Sequence, residues 1–193
     1  MSILQNALIF LLHTLFGLFT LAVLLRFYLQ LTNAPFRHPA SQAIVSLTNF
    51  AVRPLRRFVP SWRGLDLSTL LLAFVAQLLL QLCLLWLRDF PLLVAGSGAW
   101  IALLGLCVLS LTKLSIYIFL YAVFVQAILS WLSPHNPMAT LLDALTRPVL
   151  QPLRKHLPLA GGIDISPLVV FIIAELLLIT LVTPLEQQLR VLL

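Results

Sequence analysis

Four long apolar segments constrain the fold of this chain more than any other feature of its sequence. They cover about residues 3–31, 67–87, 100–132 and 167–186. Each has the roughly 17–25 residues that an α-helix needs to cross the hydrocarbon core of a bilayer. Hydrophobic residues make up 61% of the chain and charged residues only 9%, which leaves too little polar surface for folding in water. We therefore predict an all-α membrane protein with four transmembrane helices.

An internal repeat divides these helices into two pairs. After a shift of 98 residues, eight of the 17 residues from Pro54 to Leu70 match an identical residue. We predict tandem repeats over residues 1–90 and 91–193, with the same orientation in the membrane. Residues 91–132 are long enough for two spans, but only one span there gives both halves the same number of helices. The matching pairs are Pro54 and Pro152, Leu55 and Leu153, Arg56 and Arg154, Pro60 and Pro158, Gly64 and Gly162, Asp66 and Asp164, Ser68 and Ser166, and Leu70 and Leu168.

Each pair of helices is connected by an amphipathic loop, residues 39–59 in the first repeat and 137–157 in the second. Apolar residues recur in both loops at the spacing of one helix face, with polar and basic residues on the other face. A helix of this kind lies in the plane of the membrane interface instead of crossing the bilayer. Proline lacks a backbone N–H and clashes with the preceding turn, so Pro54, Pro148 and Pro152 are expected to kink or restart these helices.

Basic residues are concentrated on the loop side of the predicted spans. Because basic loops remain in the cytoplasm, we predict that both amphipathic loops are cytoplasmic and that both termini are periplasmic. The expected partner of these bases is the anionic head groups of the bilayer, and no direct binding of nucleic acid is expected. Nine of the twelve bases lie on this side, namely Arg26, Arg37, Arg53, Arg56, Arg57, Arg63, Arg147, Arg154 and Lys155.

The second loop contains an extended motif. From Asn136 to Leu168 it has the form N-P-x8-T-R-P-V-L-Q-P-L-R-K-x-L-P-x3-G-I-D-I-S-P-L. This motif resembles the YggT family of bacterial inner-membrane proteins, which often contain two such copies. The first repeat has a diverged copy, with Thr69 where the family has proline and His38 in place of asparagine. The resemblance covers roughly the whole chain.

The resemblance implies a non-enzymatic, multi-pass protein of the bacterial inner membrane. Members have been linked to osmotic and extracytoplasmic stress tolerance and to cation homeostasis. Relatives have been linked to the organisation of the nucleoid or division site and to cytochrome assembly. No enzymatic reaction is established for the family, and the sequence has no catalytic order of residues, metal motif or phosphate loop. We therefore assign no catalytic residue, no cofactor and no metal site.

The aspartate of each motif has two candidate roles. It lies at the start of a span, where Ser68, or Ser166 followed by Pro167, would cap the helix and the carboxylate would favour the positive end of the helix dipole. It also lies ten residues after an arginine in both repeats, which favours an ion pair that folds the loop back onto its helix. The candidate pairs are Asp66 with Arg56 or Arg57, and Asp164 with Arg154 or Lys155; the remaining motif residues with expected structural roles are Pro54, Gly64, Pro152 and Gly162.

Four polar residues fall inside the predicted spans. Glu175 lies near the middle of the fourth span, and its repeat partner is Gln77. A carboxylate at this depth either forms interhelical hydrogen bonds or belongs to a proton or cation site. His13 and Lys113 occupy equivalent positions, and Lys113 either extends toward the membrane surface or pairs with Glu175.

Two functions are consistent with these features. The leading hypothesis is a scaffold or assembly factor that supports osmotic stress tolerance and binds an unknown protein through its basic face. The alternative is a potassium or proton channel or transporter that uses Glu175 and Gln77. Four helices leave little room for a pore, so this alternative requires a homo-oligomer.

The distribution of bases predicts the topology. A cysteine added after Leu193 should react with a membrane-impermeant thiol reagent supplied from outside the cell, because both termini are expected in the periplasm. A cysteine in either amphipathic loop should be protected. Protection of the C-terminal cysteine in intact cells, with labelling after lysis, would reverse this topology.

Overall fold

The structure is a computed structural model that describes residues 3–59, 64–91, 96–133, 136–156 and 164–193. Within these ranges the chain forms helices and contains no β-strand. Four helices are long and apolar enough to cross a membrane. The prediction of an all-α membrane protein with four spans is confirmed.

The helices follow one another in the order that the sequence predicts. Helix α1 (Ile3–Leu31) and α3 (Leu67–Leu87) are the spans of the first half, and α2 (Pro39–Leu55) lies between them. In the second half, one unbroken helix α4 (Ser97–Leu132) precedes α5 (Pro137–His156). The last span begins as α6 (Ser166–Leu177) and continues through a π-helical segment (Leu178–Val182) into α7 (Thr183–Val191).

The last span extends beyond the predicted end near residue 186. The continuation to Val191 is stabilised by an ion pair across one turn, in which Arg190 Nη2 lies 2.7 Å from Glu186 Oε1. The π-helical segment ends two residues before Pro184, whose ring would clash with the carbonyl of Thr180 in a regular α-helix. The wider π turn accommodates this proline without breaking the span.

The loop prolines were expected to kink or to restart their helices, and the restart is wrong. Helix α5 continues through Pro148 and Pro152 to His156, and α2 includes Pro54 and ends one residue later. Each proline leaves one carbonyl of the preceding turn without its helical partner. Where water reaches the helix, it can hydrate such a carbonyl, so the helix does not have to end.

The helices of the two halves make corresponding contacts. Helix α1 packs on α2 and α3, and α4 packs on α5, α6 and α7. The halves meet mainly where α3 packs on α4. A central apolar cluster joins α1, α3, α4 and α5, and its buried members are Val23, Leu24, Ala73, Leu111, Ile118, Ala122, Leu142 and Leu145. This packing fixes α2 and α5 at one end of the bundle.

Candidate functional site at the interfacial helices

Both interfacial helices, α2 and α5, begin with the same cap. His38 Nδ1 accepts a hydrogen bond from the Ala40 N–H at 3.2 Å, and Asn136 Oδ1 accepts one from the Met138 N–H at 2.9 Å. A proline follows each capping residue, and its fixed φ suits the first position of a helix. The diverged histidine of the first repeat therefore performs the same local role as the asparagine of the second.

A buried arginine attaches α2 to the first span. Arg26 is only 5% exposed, and its Nη1 donates hydrogen bonds to Thr48 Oγ1 at 2.9 Å and to Asn49 Oδ1 at 3.1 Å. The carbonyl of Val45 accepts a third hydrogen bond from the same nitrogen at 3.3 Å. Arg26 therefore directs its charge into α2 and not toward lipid head groups.

The second repeat makes the same attachment with a neutral residue. Gln126 occupies the position of Arg26 after a shift of 100 residues, and Thr146 is the repeat partner of Thr48. The Thr146 hydroxyl donates to Gln126 Oε1, and Gln126 Nε2 donates to Asp143 Oδ1 at 3.3 Å. Both threonines are fully buried. We call these contacts the helix attachments, Arg26–Thr48 and Gln126–Thr146.

A second polar contact joins each interfacial helix to the start of the following span. Arg56 forms an ion pair with Asp66, and the Ser68 hydroxyl donates to the other oxygen of the same carboxylate. In the second repeat, Arg154 Nε donates to Asp164 Oδ2 at 2.8 Å. We call these ion pairs the arginine–aspartate clasps, Arg56–Asp66 and Arg154–Asp164.

The two clasps differ in burial. The Asp66 side chain is completely buried, whereas that of Asp164 is 34% exposed, and both arginines are 44% exposed. Burial raises the pKa of Asp66, but the hydrogen bonds from Arg56 and Ser68 outweigh it and hold this pKa below its ordinary value of 3.8. For Asp164, burial again raises the pKa, and hydrogen bonds from Ser166 and Arg154 lower it further than burial raises it. A lowered pKa means that the clasps stabilise the fold fully above pH 3.8 and lose this stabilisation as the pH falls below that value.

The predicted serine caps are wrong in position. The residue that precedes α3 is Asp66, and the residue that precedes α6 is Ile165. Ser166 is the first residue of α6, with Pro167 second, and its backbone N–H donates to Asp164 Oδ1 at 2.9 Å. The aspartate lies two residues earlier and takes this free amide, so the serine hydroxyl is not needed as the cap.

The remaining motif residues lie around the clasps. Arg57 and Lys155 are exposed and form no ion pair with any residue that the structure describes. Pro54 and Pro152 are also exposed. Gly64 has a φ of +84°, a conformation that side chains disfavour, so glycine allows the turn before Asp66. Four residues named in the sequence analysis lie outside the described residues, namely Pro60, Arg63, Pro158 and Gly162.

Glu175 and Gln77 do not converge, although they are repeat partners. Gln77 is 8% exposed, whereas Glu175 is exposed and its carboxylate has no hydrogen bond to another described residue. Helices α3 and α6, which carry them, make no contact within the described part of the chain. Glu175 lies nine residues after Ser166, or about 14 Å along the helix, which is near mid-membrane. A charged side chain at that depth costs roughly 2.5–3.5 kcal/mol on insertion scales.

Lys113 does not pair with Glu175, so that expectation is corrected. Its Nζ lies 3.0 Å from Glu186 Oε2, because α4 packs directly on α7. His13, the repeat partner of Lys113, lines a cavity of about 200 Å³ together with Gln81 and Arg190. Residues of both halves therefore surround His13.

Sequence reasoning missed Arg26, Gln126 and Glu186. The register that aligns His13 with Lys113 also aligns Arg26 with Gln126, so the paired polar positions were visible. Their threonine partners lie 20 or more residues away on another helix, and no local spacing indicates such a contact. Glu186 lies at the predicted end of the fourth span, where a carboxylate is usually hydrated and needs no partner.

The site can position charge. A groove of about 600 Å³ lies between α1, α3 and α4 and is lined mainly by apolar side chains. Among the described residues, no group of three His, Cys, Asp or Glu side chains could hold a metal ion. What the described geometry provides is two basic helices fixed at one end of a membrane bundle.

Comparison with known proteins identifies a family. The model of the CCB3/YggT family matches residues 5–87 and 106–185, one stretch in each half. An uncharacterised protein of Pseudomonas aeruginosa is 39% identical over 177 residues, which cover 90% of this chain and 87% of that protein. The Escherichia coli K12 protein YggT is 35% identical over 170 residues, which cover 88% of this chain and 86% of that protein. No solved structure matches the chain significantly.

The unequal burial of the two clasps predicts unequal effects of mutation. Arg56→Gln should lower the free energy of unfolding by about 3 kcal/mol, because it leaves the carboxylate of Asp66 buried and unpaired. Arg154→Gln should cost about 1 kcal/mol or less, since water can reach Asp164. Chemical unfolding in detergent micelles at pH 7 measures both variants. Equal losses would show that burial does not determine the strength of these ion pairs.

Proposed function

Because the chain belongs to the CCB3/YggT family, we propose that it is a non-enzymatic scaffold of the bacterial inner membrane that presents two fixed basic helices to the cytoplasm. The proposed role is to support osmotic and extracytoplasmic stress tolerance by collecting anionic lipid and an unidentified protein partner at this surface. The observation that carries the proposal is that α2 and α5 are each tied to the bundle by a helix attachment and a clasp.

The exposed side chains of α2 support an interfacial position. Leu47 and Phe50 are 65% and 73% exposed; the exposed base Arg53 lies on the same helix, and the exposed base Arg57 lies two residues after its end. Apolar and basic side chains in this combination are typical of helices that lie in the plane of the membrane. In the proposed topology, the apolar side chains enter the cytoplasmic leaflet and the bases reach its anionic head groups.

Clasped arginines are less suited to recognise a partner, because the charge of each is already paired with an aspartate. Arg57 and Lys155 are the bases next to each clasp that remain exposed and unpaired among the described residues. Each base near an anionic surface contributes about 1 kcal/mol to membrane attraction. These two positions are therefore the ones at which the proposed surface can be altered without disturbing the fold.

A cation pathway is a second candidate, and one observation favours it. Glu175 places an exposed carboxylate near mid-membrane, the depth at which transporters hold coupling ions. Within one subunit, α3 and α6 do not contact each other in the described residues, so Gln77 and Glu175 cannot line a common path. This candidate function therefore requires an assembly of several subunits.

Replacement of the exposed bases tests the scaffold. In a strain that lacks the gene, the double variant Arg57→Gln/Lys155→Gln should restore growth at high osmolarity less well than the original chain. Two lost bases weaken membrane attraction by about 2 kcal/mol. The control Arg57→Lys/Lys155→Arg keeps both charges and should restore growth fully at equal protein abundance.

Glu175→Gln separates the two functions in the same assay. A scaffold should tolerate it, because the amide keeps the size and hydrogen bonding of the repeat partner Gln77. A cation pathway should lose potassium or proton flux in proteoliposomes together with osmotic protection. Normal growth of the Arg57→Gln/Lys155→Gln variant combined with failure of Glu175→Gln at normal abundance would reject the scaffold.

A further inference from the structure

The two repeats contact each other through surfaces that are not equivalent in the two halves. Helix α3 packs on α4, and the repeat register makes α6 the counterpart of α3 and α1 the counterpart of α4. If the halves were related by a two-fold axis, α6 would pack on α1 in the same way. Within the described part of the chain, α6 and α1 make no contact. The two repeats are therefore related head-to-tail. Such a relation leaves one copy of each contact surface without a partner, one on α6 and one on α1.

The unused surface on α6 is visible in the exposure of repeat partners. On α3, Gln77 and Gln81 are 8% and 9% exposed. Their counterparts on α6 and the π-helical segment are Glu175, which is exposed, and Ile179, which is 64% exposed. Other positions are exposed in both repeats: Leu79 is 47% exposed and its counterpart Leu177 is 43% exposed. One face of the last span is therefore exposed although the equivalent face of α3 is buried.

The unused surface on α1 is the counterpart of the α4 face that meets α3. Leu111 and Ser115 of α4 line the groove between α4 and α3. Their counterparts at a shift of 100 residues are Leu11 and Leu15, which are 51% and 65% exposed. On the opposite face of α4, Lys113 contacts Glu186 in the second span of its own half, and its counterpart His13 lines a cavity with Gln81 of α3 and Arg190 of α7. The chain thus has both surfaces that this contact requires, one on α1 and one on α6, and neither is covered.

Exposure of leucine or isoleucine in a span requires no partner, because lipid covers it. Glu175 is different. Lipid cannot solvate a carboxylate near mid-membrane, and no described residue of its own chain bonds to it. Glu175 lies on the uncovered face of α6, so a protein that packs on this face removes the carboxylate from direct contact with the lipid tails.

We propose that a second copy of this chain covers it, with α1 of the second copy packed on α6 of the first as α4 packs on α3 within one chain. The surface on the first copy contains Ile172, Glu175 and Ile179, and the surface on the second contains Leu11 and Leu15. The two repeats share one orientation, so repeating their relation keeps every copy in the same orientation, as membrane insertion requires. A head-to-tail contact of this kind closes into a ring or extends as a row. Glu175 then lies between subunits.

Cysteine cross-linking tests this contact in the membrane. In a background with Cys83→Ala and Cys107→Ala, one protein receives Leu11→Cys and a second, differently tagged, receives Ile172→Cys. Within the chain, the counterparts of these positions are Leu111 and Phe74, which line one groove. Mild oxidation of membranes that contain both proteins should produce a mixed dimer. The chain with both cysteines should produce a ladder of higher oligomers.

The matched control is Leu177→Cys in place of Ile172→Cys, because Leu177 is exposed on α6 at a position whose repeat partner is also exposed. We expect its yield of mixed dimer with Leu11→Cys to be at least tenfold lower. A monomer in every combination, or equal cross-linking at positions 172 and 177, would overturn the proposal. Homodimers of Ile172→Cys without mixed dimers would also overturn it, because they indicate a two-fold contact.

Discussion

Buried hydrogen bonds between each interfacial helix and the preceding span are the interactions on which the rest of this structure depends. Arg26 and Gln126 lie near the ends of α1 and α4, where neither water nor lipid satisfies them well, and a buried threonine of the next helix does. Polar groups in such surroundings are costly to leave unpaired, so the contact fixes the helix firmly. Once α2 and α5 are fixed, Arg56 and Arg154 are within reach of the aspartates that begin the next spans.

The helix attachments and the clasps connect the sequence motif to the proposed role. The motif P-L-R-[RK] provides one base for the clasp and an adjacent base that stays exposed. The clasp is therefore structural, and the neighbouring base is available for head groups or a protein. The same duplication provides the basic surface twice at one end of the bundle. It also leaves the two outer surfaces, on α1 and α6, unequal to their counterparts within the chain.

Much of this fold could be predicted from the sequence, for identifiable physical reasons. Length and apolarity are sufficient for the spans, because a bilayer admits few alternatives. The arginine and aspartate of each clasp are ten residues apart in both repeats, so their contact was foreseeable. The attachment of Arg26 to Thr48 depends on how α2 packs on α1, and no spacing of residues within either helix indicates this packing. The different surroundings of Gln77 and Glu175 were also hidden, because a repeat suggests equal environments, whereas α3 packs on a helix of the other half and α6 does not.

The most direct test of the helix attachment is amide hydrogen exchange of α2 in lipid nanodiscs. Arg26→Met keeps an unbranched apolar stem but removes the donors, which leaves the Thr48 and Asn49 oxygens without this donor at a cost of about 2 kcal/mol. We expect exchange in Pro39–Leu55 to accelerate roughly thirtyfold while Pro137–His156 is unchanged. Arg53→Met removes an exposed base of the same helix and should change neither. Unaltered protection of α2 in the Arg26→Met protein would contradict the account.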